Sequence, residues 1–319
     1  MDMPVDIPVD IPVDINALVE RAPLLTASSD RIVIGCSGGA DSVGLLALAG
    51  HCRRDVTAVY VNHGLRPDSE RDFELVVSAA EHFGAGAVMV DVDVDRRGSN
   101  LEARARDARF AALEQQRAML NAPTIWLAHT LDDQAETVLL AMMRGSGLAG
   151  MAGMAVRRGH IERPVLGLRH AEFAGLCSQL GIATVDDPMN HDLGFDRVWV
   201  RHELLPTLNA RAHRDMAAVL ARQAGIVRSD HEYLERVAAA VLDETNGELA
   251  VELVRPLDIV IARRVMRQFI GDPPIGGKHV EAALRVVFGE CTAVELPNRR
   301  TLRRSGGILV VEPTQQLTK

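Results

Sequence analysis

Ser37, Gly38, Gly39, Ala40, Asp41 and Ser42 make one short polar stretch between two apolar ones. Two hydroxyls, a carboxylate and two glycines packed this closely suit the grip of an anion. Glycines let the backbone turn tightly and let a ligand approach peptide N–H groups. Ile32 to Gly35 reads as a buried strand, and Val43 to Leu48 as the start of a helix. The first N–H groups of that helix lack partners, and its dipole adds partial positive charge. Strand, glycine turn and helix together form a phosphate cradle. A Walker A loop is excluded, because no Lys stands in the turn. A dinucleotide fingerprint is excluded too, because the next strand, Thr57 to Val61, ends in Asn62-His63-Gly64 without a carboxylate.

Other residues with chemical capacity fall at strand ends, where open α/β sheets bind ligands. His63 and Arg66 follow the second strand. Glu102, Arg106 and Arg109 share one face of a helix opened by Asn100. That face reads either as a solvated ion-paired surface or as one pointing an Arg at phosphates. Thr124 to Ala128 reads as a strand that delivers His129, followed by Asp132, Asp133 and Glu136 in the first turns of a helix. Acids there are good capping chemistry. They also form a carboxylate pocket suited to an ammonium or to Mg²⁺. Arg197 and Arg201 stand four apart where a later helix begins.

The elements that position these groups read as alternating strands and helices. A helix is predicted over Asp14 to Leu25, another over Ser69 to Phe83, a strand over Ala87 to Val92 and a helix over Ala171 to Leu180. The glycine-rich run from Arg144 to Met154 reads as a mobile loop. Two helices, Met216 to Val227 and Glu232 to Leu242, form an arm, and Asn246-Gly247 marks a turn. Beyond it come strands at Leu249–Leu253 and Ile308–Val311 and helices at Ile259–Ile270 and Val280–Phe288.

Composition narrows the class. The 319 residues are ample for two domains, and 47% are hydrophobic, enough for a sizeable core. No apolar run reaches the ~20 residues that span a bilayer, and no basic n-region marks a secretory signal. Cys36, Cys52, Cys177 and Cys291 are widely spaced, which suits reduced thiols in a cytoplasm rather than a disulfide framework or zinc site. The net charge of −8 argues against broad nucleic-acid binding. From residue 251 onward the balance reverses, with eleven basic residues against seven acidic, and Arg299, Arg300, Arg303 and Arg304 cluster. That segment reads either as a phosphate-tracking patch or as a solvated face. The Pro-Val-Asp-Ile repeats at the start read as an extended low-complexity tail.

Taken together, these motifs resemble the tRNA(Ile)-lysidine synthases of the PP-loop ATP pyrophosphatase superfamily. The resemblance rests on Ser37-Gly-Gly-Ala-Asp-Ser42, Val61-Asn-His-Gly-Leu-Arg66, Leu101-Glu102 with Arg106 and Arg109-Phe110, Ala128-His129, Asp132-Asp-Gln-Ala-Glu-Thr137, Arg144-Gly-Ser-Gly147, and Pro188-Met-Asn190 with Arg197 and Arg201. Thr130 stands where relatives often carry a second His, and Phe110 where they carry Tyr. The resemblance implies an α/β fold: a parallel-sheet, Rossmann-like PP-loop domain, a helical arm and a smaller α+β C-terminal domain. The expected bounds are 1–25 for the tail and short helix, 26–210 for the catalytic domain and 211–319 for the arm and tRNA-binding domain. It implies an ATP-dependent C–N ligase that adenylates C2 of the wobble cytidine of CAU-anticodon tRNA(Ile), then joins L-lysine there. Ser37 to Ser42, His63 and Arg109 would bind ATP, with Asp41 also helping to place Mg²⁺. Asp133 and Glu136 would hold lysine, and one would take up a proton. Arg106, Arg201 and His129 would complete the catalytic set. A tRNA thiolase is the alternative, but such enzymes often carry a Cys-x-x-Cys pair, which this chain lacks. A homodimer stays open, because no pattern encodes the oligomeric state.

Overall fold

The structure, a computed structural model, describes residues 13–27, 31–64, 69–95, 101–243, 245, 248–271 and 275–313. Most of the proline repeat, Arg66, Asn100 and the Asn246–Gly247 turn lie outside the described residues, as does the side chain of Glu102. The chain divides into two compact units, one ending at Gly225 and the other beginning at Ile226.

The first unit opens with α1 (Ile15–Arg21) and α2 (Leu24–Ala27). One helix was expected here; Pro23 forces Ala22 out of helical geometry (φ −124°, ψ 65°) and divides it. Then come β1 (Arg31–Gly35), α3 (Ala40–His51), β2 (Asp55–Asn62), α4 (Ser69–His82), β3 (Gly86–Asp91), α5 (Leu101–Met119), β4 (Thr124–Leu127) and α6 (Leu131–Met143). Next are α7 (Leu148–Met151), β5 (Arg157–Arg158), β6 (Ile161–Glu162), α8 (His170–Gln179), α9 (Asp196–Trp199), a π turn (Val200–Leu204) and α10 (Leu205–Ala212). The strands form one sheet in the order β3-β2-β1-β4-β6-β5, parallel except for β5, which runs against β6.

β1 is central because its residues are apolar on both sides. Ile32 and Ile34 pack with Leu45, Trp126 and Phe173 on one face, while Val33 packs with Val59, Ile125 and Leu113 on the other. A parallel sheet needs this double cover. Gly44 lets α3 lie directly on α8, since a Cβ there would sit 2.2 Å from Phe173 Cδ1. The chain runs outward from β1 to β2 and β3, then returns to place β4 on the other flank. The crevice between the carboxyl ends of β1 and β4 is therefore a topological switch point, the usual ligand site of open α/β sheets.

The division between units falls within α11 (Met216–Asp243), a single helix where two were expected. The helix continues through Arg228 to His231, a polar run that contains neither Gly nor Pro. The second unit holds β7 (Leu249–Ala250), α12 (Val251–Val254), α13 (Ile259–Ile270), α14 (Gly277–Phe288), β8 (Ala293–Leu296), β9 (Arg300–Ser305) and β10 (Ile308–Pro313). Its antiparallel sheet runs β7-β10-β9-β8 over a core that includes Val265, Leu284, Leu302 and Leu309. β8 and β9 have no clear signal in the sequence, since β8 is only four residues long and Leu302 is the one apolar residue of β9. No helix among the described residues is long and apolar enough to cross a membrane.

Candidate functional site

The glycine turn joins β1 to α3 but is shorter than expected: Ala40, Asp41 and Ser42 already belong to the first turn of α3. Gly38 has φ +83°, a conformation open to glycine, and a Cβ there would meet Val185 Cγ2 at 2.6 Å. Its carbonyl also accepts from the Val185 N–H at 2.9 Å, which ties the turn to the segment after α8. Gly39 is the N-cap of α3 and offers no side chain to its free N–H groups. Ser42 Oγ donates to the Gly39 carbonyl at 2.9 Å and lies 3.5 Å from Ser37 Oγ. Hydroxyls and uncapped amides thus face one opening.

That opening is a cleft of about 810 Å³, lined by the turn and by His63, Arg106, Arg109, His129, Asp133, His170, Arg197 and Arg201, among others. Two buried polar atoms in it have no hydrogen-bond partner among the described residues, His63 Nδ1 and Arg109 Nε. Arg106 and Arg109 sit over the Phe110 ring, 5.0 and 5.7 Å from its centroid, so Phe110 supports both guanidiniums with no hydroxyl. Burial, with the charges of Arg106 and Arg197, lowers the Arg109 pKa. A guanidinium stays charged regardless, so an incoming anion relieves this unfavourable setting. Burial and Arg109 likewise lower the His63 pKa and favour its neutral ring. Arg106 and Arg109, on a face of α5 that reads more readily as solvated surface, both line the cleft.

Thr130 and Asp133 form a capping box at the start of α6. Asp133 Oδ2 accepts from the Thr130 N–H at 2.8 Å and from its hydroxyl at 3.0 Å. Thr130 therefore orients Asp133. Asp133 Oδ1 then accepts from Arg197 Nη2 at 3.0 Å and Arg201 Nη2 at 3.5 Å. Glu136 accepts 2.6 Å bonds from Arg197 Nε on one oxygen and Arg201 Nε on the other. The expected pair of lysine-holding acids thus separates. Asp133 lines the cleft, whereas Glu136 lies behind it, 0% exposed, with both oxygens occupied by arginine. Burial disfavours the Asp133 charge, but Arg197, the Thr130 N–H and Arg201 outweigh it and hold its pKa below the usual range. The π turn that carries Arg201 is a wide turn of the kind found at functional sites.

Asp132 turns elsewhere. It accepts from the His170 N–H at 2.8 Å and so caps α8, and it pairs with Arg169 at 3.2 Å. The sequence reading missed His170, whose Nδ1 lies 2.7 Å from Asp41 Oδ1. No spacing signal links these two, because α8 meets α3 only through tertiary packing. The bond to Asp41 raises the His170 pKa against burial, while burial raises that of Asp41. Gln134, inside the acidic motif, accepts from the Met154 N–H at 2.6 Å and donates to the Met154 carbonyl at 3.0 Å. It thereby pins the glycine-rich run, which contains α7 and is not wholly irregular.

The switch-point crevice and the uncapped phosphate cradle define a nucleotide-binding α/β enzyme of the PP-loop class. A family model described as a PP-loop domain matches residues 11–208. The tRNA(Ile)-lysidine synthase of Salinispora arenicola is 36% identical over 315 residues, covering 92% of this chain and 95% of its own. That of Rhodococcus erythropolis is 40% identical over 243 residues, covering 75% and 74%. The chain belongs to the tRNA(Ile)-lysidine synthase family of ATP-dependent ligases. A U34-tRNA thiolase from Methanococcus maripaludis, described with its [4Fe-4S] cluster, shares the fold at 16% identity and TM-score 0.56, over 67% of this chain and 80% of its own.

Proposed function

We propose that this protein adenylates the C2 carbonyl oxygen of the wobble cytidine in a CAU-anticodon tRNA(Ile) and then joins L-lysine to C2. In the first step the carbonyl oxygen attacks the α-phosphorus of ATP and pyrophosphate leaves. In the second the lysine ε-ammonium gives one proton to solvent, the free amine attacks C2, and AMP leaves with the C2 oxygen. The observation that carries this reading is the pair of unpartnered buried atoms, Arg109 Nε and His63 Nδ1, in the same cleft as the uncapped α3 turn. Buried polar atoms with no internal partner are preorganised for groups that arrive with the substrate.

The turn N–H groups and Ser37 and Ser42 take the pyrophosphate, and Arg106 and Arg109 face the phosphoryl group. Among the described residues no three acids or histidines gather as a metal site. Mg²⁺ is usually held by one or two carboxylates plus substrate phosphates, and Asp41 fits that role. Held there, the ion would neutralise charge on the leaving pyrophosphate. Asp133, kept ionised, is a fixed negative charge for the lysine ammonium. Glu136 serves by holding Arg197 and Arg201 beside it. The exposed arginines of the second unit, Arg299 and Arg303, would meet tRNA phosphates. The four free thiols fit a cytoplasmic setting.

The test is incubation with ATP, Mg²⁺, labelled lysine and bacterial tRNA, followed by mass analysis of the modified nucleoside. Lysine-dependent label in tRNA, with AMP and pyrophosphate released, is expected. Sulfur incorporation, or stable AMP transfer without lysine, would overturn the reading in favour of a thiolase or another adenylating enzyme.

A further inference from the structure

The motifs leave Arg163 without a role, yet it touches the site. It is 5% exposed and held from two sides. Its backbone N–H donates to the Val156 carbonyl at 2.8 Å, and its Nη1 donates to the Ala155 carbonyl at 2.8 Å. So fixed, its Nε donates to His129 Nδ1 at 3.2 Å. A guanidinium has only donors and does not lose its charge in proteins. The ring nitrogen that accepts from it must offer a lone pair, so the proton of the neutral ring sits on Nε2. His129 follows β4 and lines the cleft opposite no acid but Asp133 among its charged neighbours; the others are Arg163, Arg197 and Arg109.

We propose that Arg163 is a positioning residue that locks His129 as an Nε2–H donor, so that His129 binds a substrate oxygen gaining negative charge and transfers no proton. This rests on the adenylation reading above for the identity of that oxygen, which is a phosphoryl oxygen of ATP or the C2 carbonyl of the cytidine. The electrostatics agree with the geometry. Burial acts first against a second ring proton; Asp133 favours one, while Arg163, Arg197 and Arg109 oppose it. The balance lowers the His129 pKa to about 3. The ring therefore holds one protonation state across the working range. A neutral donor of this kind stabilises developing charge without needing to be reprotonated between turnovers.

The direct test is ¹⁵N NMR of histidine-labelled full-length protein, with His129 assigned by its loss in His129→Gln. Nδ1 should appear as an unprotonated ring nitrogen and Nε2 as a protonated one, unchanged between about pH 5 and 8. This readout uses the free protein, so it stands or falls apart from whether lysine is the acceptor. Arg163→Met should release the lock and give a mixture of tautomers or a titrating ring, and Arg163→Lys should restore the Nε2–H form. In kinetics, His129→Gln, which keeps an amide N–H near the Nε2 position, should stay within about tenfold of the parent, whereas losing a proton-transfer group costs about 10²–10⁴-fold. His129→Phe should lose more. A rise in KM for ATP would assign the phosphoryl oxygen, and a rise for tRNA the base carbonyl. An Nδ1–H tautomer, titration of His129 within that pH range, or a His129→Gln variant no better than His129→Phe would overturn the proposal.

Discussion

Gly38 and Asp133 carry sharply different kinds of constraint. Gly38 is fixed by backbone geometry: φ +83° costs a side chain about 1–3 kcal/mol, and Val185 occupies the space a Cβ needs. Gly38→Ala should lose nucleotide binding before it loses the fold, seen as a higher KM for ATP with little change in far-ultraviolet circular dichroism. Asp133 is fixed by charge. Because Arg197, Thr130 and Arg201 hold its pKa down, its ion pairs add stability that is complete above the unfolded value of about 3.9 and drains away as pH falls through the lower folded value. Asp133→Asn should therefore flatten the acid limb of a urea-midpoint profile between about pH 5 and 2, and raise the KM for lysine more than that for ATP. An equal rise in both would remove Asp133 from the lysine pocket. Glu136→Gln differs again. It leaves two guanidiniums short of a buried partner and should cost about 3–5 kcal/mol in stability, read by denaturant titration.

The crossing of α3 over α8 shows how an element placement serves the cradle. Both the Gly44–Phe173 approach and the His170–Asp41 bond come from it. Gly44→Ala should destabilise by about 1–3 kcal/mol through overpacking. Combined with Phe173→Leu, the two changes should be less than additive, because the smaller side chain vacates the space. Strict additivity in a double-mutant cycle would show that α3 shifts as a body instead. The strand β9 makes the opposite point. Arg300 donates to the Ile270 carbonyl at 2.8 Å, and Arg303 pairs with Glu312 on the neighbouring strand at 3.1 Å. Four arginines close in sequence thus serve different tasks, since alternate residues of a strand face opposite sides. Arg300→Ala should lower stability, whereas Arg299→Ala with Arg303→Ala should raise the KM for tRNA and reduce its salt slope by roughly 1 for each phosphate no longer engaged.

The two units have separate hydrophobic cores with no residue in common. Scanning calorimetry of the full chain should resolve two transitions. Leu302→Ala, a fully buried site in the second unit, should lower one of them by about 2–5 kcal/mol and leave the other in place. A single cooperative transition shifted as a whole would show that the units unfold as one. The same variant separates affinity from chemistry: its effect should fall on tRNA use, and ATP binding by the first unit should persist.

The amino-acid sequence by itself determined the cradle, the strand–helix alternation and the candidate residues, because these depend on local rules. A glycine turn between apolar runs, a 3.6-residue apolar period and an acid in the first turn of a helix are readable within a few neighbours. It did not determine which acid faces the cleft. Asp132, Asp133 and Glu136 are near neighbours, and only the arrival of α8 and of Arg197 and Arg201 from far along the chain makes one a cap, one a cleft residue and one a buried anchor. The inward turn of Arg109 and the bonds from Arg163 to His129 and from His170 to Asp41 are of the same kind. Tertiary packing decided them, because burial and pairing depend on which distant segments the sheet brings to β1 and β4.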